Sequence, residues 1–429
     1  MGSGRRCTAV RIAFFHNHPS GGAARALHEL GQQLAPRHDV DVYTLATGDE
    51  EALSSADYAR KVTSIPFEER HPIRLGFYLN DWRRYRDLSA LERASRDAAK
   101  AIDAEAYDVV LANACRFLQS PAVLPYLTTP SAYYCHEPPR RFLQQVCAED
   151  VGPLTTYQRL RSWWHKPARI QLDSVIKRRD RRNFAAAGAV LTNSRFTADL
   201  IGRYYGREAT VCRLGVDAER FHPADATRGD YVLSVGALEP HKGFDFLVRS
   251  VGLLTEESRP ELRIVANYVN PGVATDLRRL AEARGVSLSV MEAVDEDELV
   301  AQYQQARVFA YAPHEEPFGL AVLEAMACGL PVVAVAEGGV LESIRPGESG
   351  LVTNREEQAF AEALSRVTSD GELAQSLGGA GRRSAVTDWT WDAAGRRLES
   401  HLADVAGADS EVLSALPDTT SAQGARSES

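Results

Sequence analysis

The chain has 429 residues, of which 44% are apolar and 25% charged, and a formal net charge of −9. This length is too great for one compact core, so we expect two domains. The composition is that of a globular protein, and the negative charge argues against a nucleic-acid binder.

The cysteine pattern and the lengths of the apolar runs indicate the cellular compartment. The six cysteines form no C-x-x-C pair, so neither a zinc site nor a disulfide framework is predicted. The first ten residues hold no apolar run of signal-peptide length, and no run of about 18 apolar residues occurs. We therefore expect a cytoplasmic protein without a membrane span.

Short apolar runs alternate with helical segments in the first half of the chain. Strands are predicted at 10–15, 40–45, 109–112, 131–135 and 189–192, and a first helix at 23–34. This alternation predicts an α/β fold with a parallel sheet covered on both faces.

The same rhythm restarts after residue 217. Strands are predicted at 231–235, 262–266, 308–311 and 331–335, with helices beginning near Phe244, Thr275, Glu296 and Leu320. Two doubly wound domains in series are the economical interpretation.

Domain boundaries follow from composition. We place a first domain at 1–215 and a second at 216–388. A late amphipathic helix at 389–406 is expected to pack back toward the first domain. Residues 407–429 are small and polar, so we expect a disordered tail.

The segment EPFGLAVLE carries the strongest functional signal. It joins a predicted strand to a helix, and ligands of open α/β sheets bind at such carboxyl ends of strands. The amides of Phe318, Gly319 and Leu320, with the helix dipole, suit an anion. Gly319 has no side chain to block close approach. Glu316 and Glu324 can accept hydrogen bonds from sugar hydroxyls, so we assign phosphate to the amides and hydroxyls to the carboxylates.

This segment resembles the signature of the family 4 (group 1) glycosyltransferases. Glu316 and Glu324 are separated by seven residues, as in that family. The resemblance runs from about residue 11 to about residue 405. It implies the GT-B fold, in which two Rossmann-like domains face each other across a cleft. It also implies retaining transfer of a hexose from a UDP- or GDP-linked sugar to a glycan, glycolipid or other hydroxyl acceptor, with no cofactor or metal. Glu316 would contact the donor hexose and Glu324 the ribose.

A second predicted site follows strand 231–235, in the letters VGALEPHKG. Gly236 opens the turn, and Lys242 supplies a point charge for a diphosphate leaving group. The resembled family often has an arginine directly after the first glycine, whereas this chain has Ala237. His241 or an arginine of the first domain could compensate.

Two further sites are predicted in the first domain. Gly21 and Gly22 precede a helix and let backbone amides approach an anion; the alternative is a plain tight turn. In the resembled family this loop contacts the donor phosphate, and a site divided between domains requires closure.

His136 ends a predicted strand in the letters YYCHEPPR. It could hydrogen-bond a sugar hydroxyl or stabilise developing positive charge. The family has a histidine here near the transferred sugar; a purely structural histidine is the alternative. Asn193 and Ser194 are candidate helix caps.

Two metal-like patterns are discounted. Asp39 and Asp41 form a D-x-D, but they lie at the start of a predicted strand, away from the cleft. His16 and His18 have no evident third ligand. No metal site is therefore expected.

The segment 140–184 is locally basic, with eleven Lys or Arg residues against four acidic ones, and it contains Tyr157, Trp163 and Trp164. Each basic residue near an anionic bilayer contributes about 1 kcal/mol. The segment could dock on an anionic membrane or on a lipid-diphosphate acceptor; the alternative is a solvated helical face.

Other functions remain open on this fold. A nucleotide-sugar epimerase would convert the donor without an acceptor. A retaining phosphorylase would require inorganic phosphate. A catalytically inactive sugar-nucleotide-binding module is the third alternative, because Ala237 breaks the family pattern.

Overall fold

The computed structural model describes residues 9–17, 21–46, 53–69, 77–143, 156–224 and 228–407. The predicted tail at 407–429 lies outside this range apart from its first residue. Within the described part of the chain, no helix has both the length and the apolar character that crossing a bilayer requires.

Residues of the first half form a seven-stranded parallel sheet. Its strands, in chain order, are β1 Arg11–Asn17, β2 Asp39–Leu45, β3 Lys61–Ile65, β4 Val109–Cys115, β5 Ser131–Cys135, β6 Ala189–Thr192 and β7 Thr210–Val211. Its helices are α1 Gly22–Leu34, α2 Phe77–Asp103, α3 Arg140–Leu143, α4 Thr156–Ala185 and α5 Arg195–Tyr205. The strand order is β3-β2-β1-β4-β5-β6-β7, and the buried strands are rich in apolar residues because helices cover both faces.

Residues of the second half form a six-stranded parallel sheet. Its strands are β8 Tyr231–Val235, β9 Glu261–Ala266, β10 Leu288–Glu292, β11 Val308–Tyr311, β12 Val332–Val335 and β13 Leu351–Thr353. Its helices are α6 Phe244–Val251, α7 Pro271–Ala283, α8 Glu296–Gln305, α9 Leu320–Ala327, α10 Glu357–Ser369 and α11 Gly371–Asp388. A last helix, α12 Trp391–Ala406, ends the described chain.

Each sheet reverses its strand order at one point. In the first sheet the order β3-β2-β1 turns to β4-β5-β6, and in the second β10-β9-β8 turns to β11-β12-β13. Ligands of open α/β sheets bind at the carboxyl edge beside such a reversal. The loops after β1, β8 and β11 are therefore the loops that the topology brings to a ligand, and the predicted doubly wound fold is confirmed.

Apolar packing joins the two halves. One core cluster contains residues of both sheets, and the Phe318 ring lies 5.8 Å from the Trp389 ring within it. Helix α12 packs on α1, where a side chain at Gly395 would overlap Gln33. Glu399 of α12 accepts hydrogen bonds from two residues that follow α1, Arg37 at 3.0 Å and His38 at 2.8 Å.

The differences from the sequence predictions have local causes. Strands β3, β7, β10 and β13 lack the apolar run that marked the other strands, because most of their residues are exposed or only partly buried. The predicted helix start near Thr275 is wrong, since α7 begins at Pro271. The Asn270 side chain accepts a hydrogen bond from the amide of Gly272 at 3.0 Å, and proline is favoured at the first helical position.

Two glycines with nearly equal backbone angles allow a test of this packing. Gly243 has φ +67° and Gly206 has φ +69°. An added methyl group at Gly243 would overlap the carbonyl oxygen of Ala312, whereas Gly206 has open space around it. We expect Gly206→Ala to lower the free energy of unfolding by about 1 kcal/mol from backbone strain. Gly243→Ala should lower it by at least about 3 kcal/mol, because the overlap adds to the strain. Equal losses in chemical denaturation would contradict the packing after β11.

Candidate active site

The loop after β11 leads into α9 through a left-handed glycine. Gly319 has φ +90° and no side chain to cap the helix, so the N-terminus of α9 faces the cleft with backbone only. A methyl group at Gly319 would lie 3.4 Å from the ring of Tyr311. Helix N-termini of this kind attract anions, which is the property that the sequence predicted for Phe318, Gly319 and Leu320.

Glu316 and Lys242 form an ion pair in this loop. Lys242 ends a short 3-10 turn, Pro240–Lys242, after β8, and its Nζ lies 2.8 Å from Glu316 Oε2. Their side chains are 20% and 16% exposed. Burial raises the pKa of the Glu316 carboxyl, but the positive charges of Lys242 and Arg140 outweigh this effect, and the net shift is downward. Glu316 is therefore an ionised hydrogen-bond acceptor at neutral pH.

Gly236 lies beside this ion pair, whereas Gly22 lies near the start of α9. Gly236 has φ +157°, and a methyl group there would sit 3.8 Å from Lys242 Cδ. Gly21 and Gly22 follow β1 in the other domain. A methyl group at Gly22 would lie 3.8 Å from Leu320 Cδ1. The Gly21-Gly22 loop of the first domain therefore faces the start of α9 in the second.

Glu324 is the more buried of the two predicted carboxylates, with 7% exposure. Arg25 of α1 donates to Oε1 at 2.9 Å, and the Tyr303 hydroxyl donates to Oε2 at 2.7 Å. Arg25 also donates to Glu296 at 2.6 Å. Both oxygens predicted to hold a ribose thus accept hydrogen bonds from protein donors.

The sequence analysis did not identify Arg25 or Tyr303. Arg25 lies three residues after Gly22, on the helix that follows the glycine loop. This position is the sequence feature that could have identified it.

A cavity of about 10 Å³ remains between Arg25, Glu324 and Leu320. That is room for a single water molecule, so a ribose enters only if the two domains separate here.

His136 ends β5 and is 8% exposed. Its ring centroid lies 4.8 Å from that of Tyr134, and its backbone carbonyl accepts from Asn193 Nδ2 at 3.1 Å. The neighbouring Ser194 caps α5, since its Oγ accepts from the amide of Thr197 at 3.0 Å. Ser194 Oγ also donates to the carbonyl of Pro317 at 2.6 Å. This hydrogen bond connects the His136 side of the cleft to the loop that holds Glu316.

Arg140 of α3 also crosses the cleft. Its guanidinium donates to the carbonyl of His314 at 2.9 Å and contacts Glu137 at 3.0 Å. The amide of His314 donates to the carbonyl of His241 at 2.8 Å. Burial, Arg140 and Lys242 lower the pKa of His241 to about 4. These effects outweigh the carboxylate of Glu316, which raises the pKa, so the His241 imidazole is neutral near pH 7.

The side chains of the two metal-like patterns contact other protein groups. Arg60 contacts Asp39 at 2.7 Å and Asp41 at 2.9 Å, and the Tyr107 hydroxyl donates to Asp41 at 2.7 Å. Both aspartates lie at the amino end of β2, on the opposite edge of the sheet from the cleft. The Nε2 of His16 lies 3.3 Å from Ser55 Oγ, and His18 is outside the described residues. Among those described, no three His, Cys, Asp or Glu side chains are arranged to hold a metal ion.

The basic segment 140–184 is only partly described. The side chains of Tyr157, Trp163 and Trp164 lie outside the described set. In the described part, Arg182 and Arg179 contact Glu92 of α2 at 2.8 Å and 3.7 Å. These two basic residues therefore hold two helices together.

The contact of Arg25 with Glu324 can be measured with a double-mutant cycle on the free energy of unfolding. We expect Arg25→Ala and Glu324→Gln to be coupled by at least about 1 kcal/mol, because a buried carboxylate that loses its cation is strongly destabilised. The matched control is the pair Arg279 and Asp276, whose side chains are 74% and 76% exposed and which should show no measurable coupling. Additive effects of Arg25→Ala and Glu324→Gln would contradict the contact.

Two curated relatives have informative names. The chain is 33% identical over 233 residues to a D-inositol 3-phosphate glycosyltransferase of Streptomyces bingchenggensis, covering 49% of this chain and 51% of that protein. It is 31% identical over 239 residues to a GDP-mannose-dependent alpha-(1-6)-phosphatidylinositol monomannoside mannosyltransferase of Mycolicibacterium smegmatis, covering 50% and 62%. The chain thus spans about half the length of the first of these relatives.

Solved structures show the same fold. A sucrose-phosphate synthase from Thermosynechococcus elongatus aligns with a TM-score of 0.71 at 20% identity, covering 93% of this chain and 100% of that one. HepE of Anabaena in complex with UDP-glucose aligns with a TM-score of 0.68 at 17% identity, covering 92% and 100%. Together with the two facing sheets, these alignments establish the GT-B fold.

Two family models match adjacent parts of the chain. The model "Glycosyltransferase Family 4" matches residues 20–220, and the model "Glycosyl transferases group 1" matches residues 216–384. The first match contains the Gly21-Gly22 loop and His136, and the second contains Lys242, Glu316 and Glu324. With both halves matched and the fold in agreement, the chain belongs to the family 4, group 1 glycosyltransferases.

Proposed function

We propose that this protein transfers a hexose from a nucleoside diphosphate sugar to a hydroxyl acceptor, with retention of anomeric configuration and without a metal. The observation that carries the proposal is the ion pair of Lys242 and Glu316 beside the uncapped N-terminus of α9. A cation, free helix dipole and ionised carboxylate together match a sugar linked to a diphosphate.

Each group takes the part of the donor that its charge permits. Lys242 and the backbone of Phe318, Gly319 and Leu320 bind the phosphates, since they present positive charge. Glu316 accepts hydrogen bonds from hexose hydroxyls, and Glu324 takes the ribose once Arg25 and Tyr303 share or release it. Carboxylates do not bind the phosphates because like charges repel.

The main catalytic task is to stabilise the charge of the departing diphosphate. As the bond to the anomeric carbon breaks, negative charge grows on the diphosphate and positive charge on the sugar. Lys242, the α9 amides and the Gly21-Gly22 loop offset the first charge. The imidazole of His136, placed where β5 ends, faces the second. Closure of the two domains excludes water from the reactive sugar. Retention is supported by the family membership.

The names of similar proteins bear on donor and acceptor. One relative is named as GDP-mannose-dependent, and HepE was solved with UDP-glucose, so UDP- and GDP-linked hexoses are the donors to test. The relatives are named for an inositol 3-phosphate and a phosphatidylinositol monomannoside. A polyol, glycan or lipid-linked hydroxyl is therefore the acceptor class that we propose.

Donor turnover separates this function from its alternatives. UDP-, GDP- and ADP-linked hexoses are first ranked by thermal shift, because a ligand at 100 times its dissociation constant adds about 2.7 kcal/mol of stability. The best donor is then incubated with and without acceptor. Release of nucleoside diphosphate that depends on the acceptor supports the transferase. An isomerised donor without acceptor would indicate an epimerase, and binding without turnover would indicate an inactive module.

Lys242→Ala should lower turnover at saturating donor by at least about tenfold. The physical reason is the loss of a preorganised charge on the leaving group, for which about 10²–10³ is the usual cost. Steady-state rates and circular dichroism give the readout. Lys100→Ala is the matched control, since that side chain is 80% exposed on α2. Near-normal turnover in Lys242→Ala would remove Lys242 from the leaving-group site.

The basic segment 140–184 adds a proposed peripheral contact with an anionic membrane. We expect the protein to sediment with vesicles of phosphatidylserine and phosphatidylcholine at low salt. Sedimentation should be much weaker at about 0.5 M salt, because salt screens the attraction between the basic side chains and the anionic lipids. Vesicles of phosphatidylcholine alone are the control. Equal sedimentation with both vesicle types would contradict an electrostatic contact.

A further inference from the structure

We propose that Arg140 supplies the second positive charge on the departing diphosphate, reaching it from the first domain across the cleft. This inference rests on the proposed transferase function and adds a residue to it. Arg140 would act directly on the leaving group, beside Lys242, when the two domains are closed on the donor.

A second cation would strengthen the diphosphate site because Lys242 shares its charge with a carboxylate. Its ammonium lies 2.8 Å from the Glu316 carboxylate, which offsets part of the attraction between Lys242 and a diphosphate. Position 237 is an alanine, so its side chain carries no charge. It directly follows Gly236 at the carboxyl end of β8. A diphosphate that gains negative charge as it departs is stabilised by donors fixed in place beforehand.

Two arginines and a histidine near the cleft are not available as a second charge. Arg25 is bound by two carboxylates, Glu324 and Glu296. Arg355 donates twice to Glu337, at 2.7 Å and 2.8 Å, and also to two backbone carbonyls. His241 carries no charge near pH 7, as its lowered pKa shows.

Arg140 has partners that a phosphate can replace. Its ion pair with Glu137 is an i,i+3 contact in which the arginine side chain is 19% exposed and the carboxylate 33% exposed, so solvent reaches the carboxylate and a phosphate can compete for the guanidinium. Its other partner, the carbonyl of His314, is a neutral acceptor. A phosphate offers two charged oxygens to the planar guanidinium fork, which is the stronger arrangement.

The location of Arg140 fits this role. His314 lies two residues before Glu316, so the Arg140 guanidinium already contacts the loop that holds Glu316, the carboxylate proposed to bind the donor hexose. The charge of Arg140 lowers the pKa of both Glu316 and His241, which places it within electrostatic reach of the Lys242 site. Arg140 begins α3 just after His136, so closure would bring both side chains to the donor together.

Binding of nucleotide fragments separates this role from a structural one. We expect Arg140→Ala to weaken UDP or GDP binding at least about tenfold in calorimetry and to leave uridine or guanosine binding unchanged. Turnover at saturating donor should also fall at least about tenfold. Arg140→Lys, which keeps the charge and folds more readily if the alanine variant does not, should lose less in both measurements. Arg279→Ala, an exposed arginine of another i,i+3 pair, is the control.

A rescue experiment tests whether Arg140 and position 237 serve the same diphosphate. Adding Ala237→Arg to Arg140→Ala should restore at least about tenfold of the lost turnover, because position 237 directly follows Gly236, which lies beside Lys242. Normal turnover of Arg140→Ala, equal weakening of UDP and uridine, or absence of rescue would each overturn the proposal. A wild-type protein that turns over no hexose donor would instead refute the transferase function itself.

Discussion

The structure depends on how it compensates two carboxylates buried at one edge of the second sheet. Glu316 has Lys242 at 2.8 Å, and Glu324 has Arg25 at 2.9 Å and the Tyr303 hydroxyl at 2.7 Å. An unpaired buried carboxylate costs several kcal/mol, so these partners are obligatory whenever no ligand is bound. The turn after β8 supplies Lys242 and helix α1 supplies Arg25.

Charge compensation also couples the two domains. Arg25 and Arg140 belong to the first domain, yet their hydrogen bonds end on Glu324 and on the carbonyl of His314 in the second. A donor that offers hydroxyls to the carboxylates and phosphates to the cations competes for these same groups. Under the proposed function, donor binding would therefore be linked to the contact between the domains, because a ligand shifts a conformational equilibrium by its differential affinity for the two states.

Much of this arrangement was predictable, and the remainder has a physical reason. Apolar runs identified the central strands, and the order of strand, loop and helix correctly located the Phe318-Gly319-Leu320 turn at the start of α9. Glu324 is buried against Arg25, which lies 299 residues away in the chain. Such a contact leaves no trace in one sequence, and neither does that of Arg140 with His314. The partly exposed edge strands were missed because they need no apolar run.

A crystal structure with UDP or GDP bound tests the central claim most directly, namely that the diphosphate sits between Lys242 and the N-terminus of α9. We predict phosphate oxygens within hydrogen-bonding distance, about 3 Å, of Lys242 Nζ and of the backbone amides at Gly319 and Leu320. The ribose should lie on Glu324, with the contact to Arg25 changed. A diphosphate bound elsewhere, with the Lys242–Glu316 and Arg25–Glu324 contacts both intact, would contradict it.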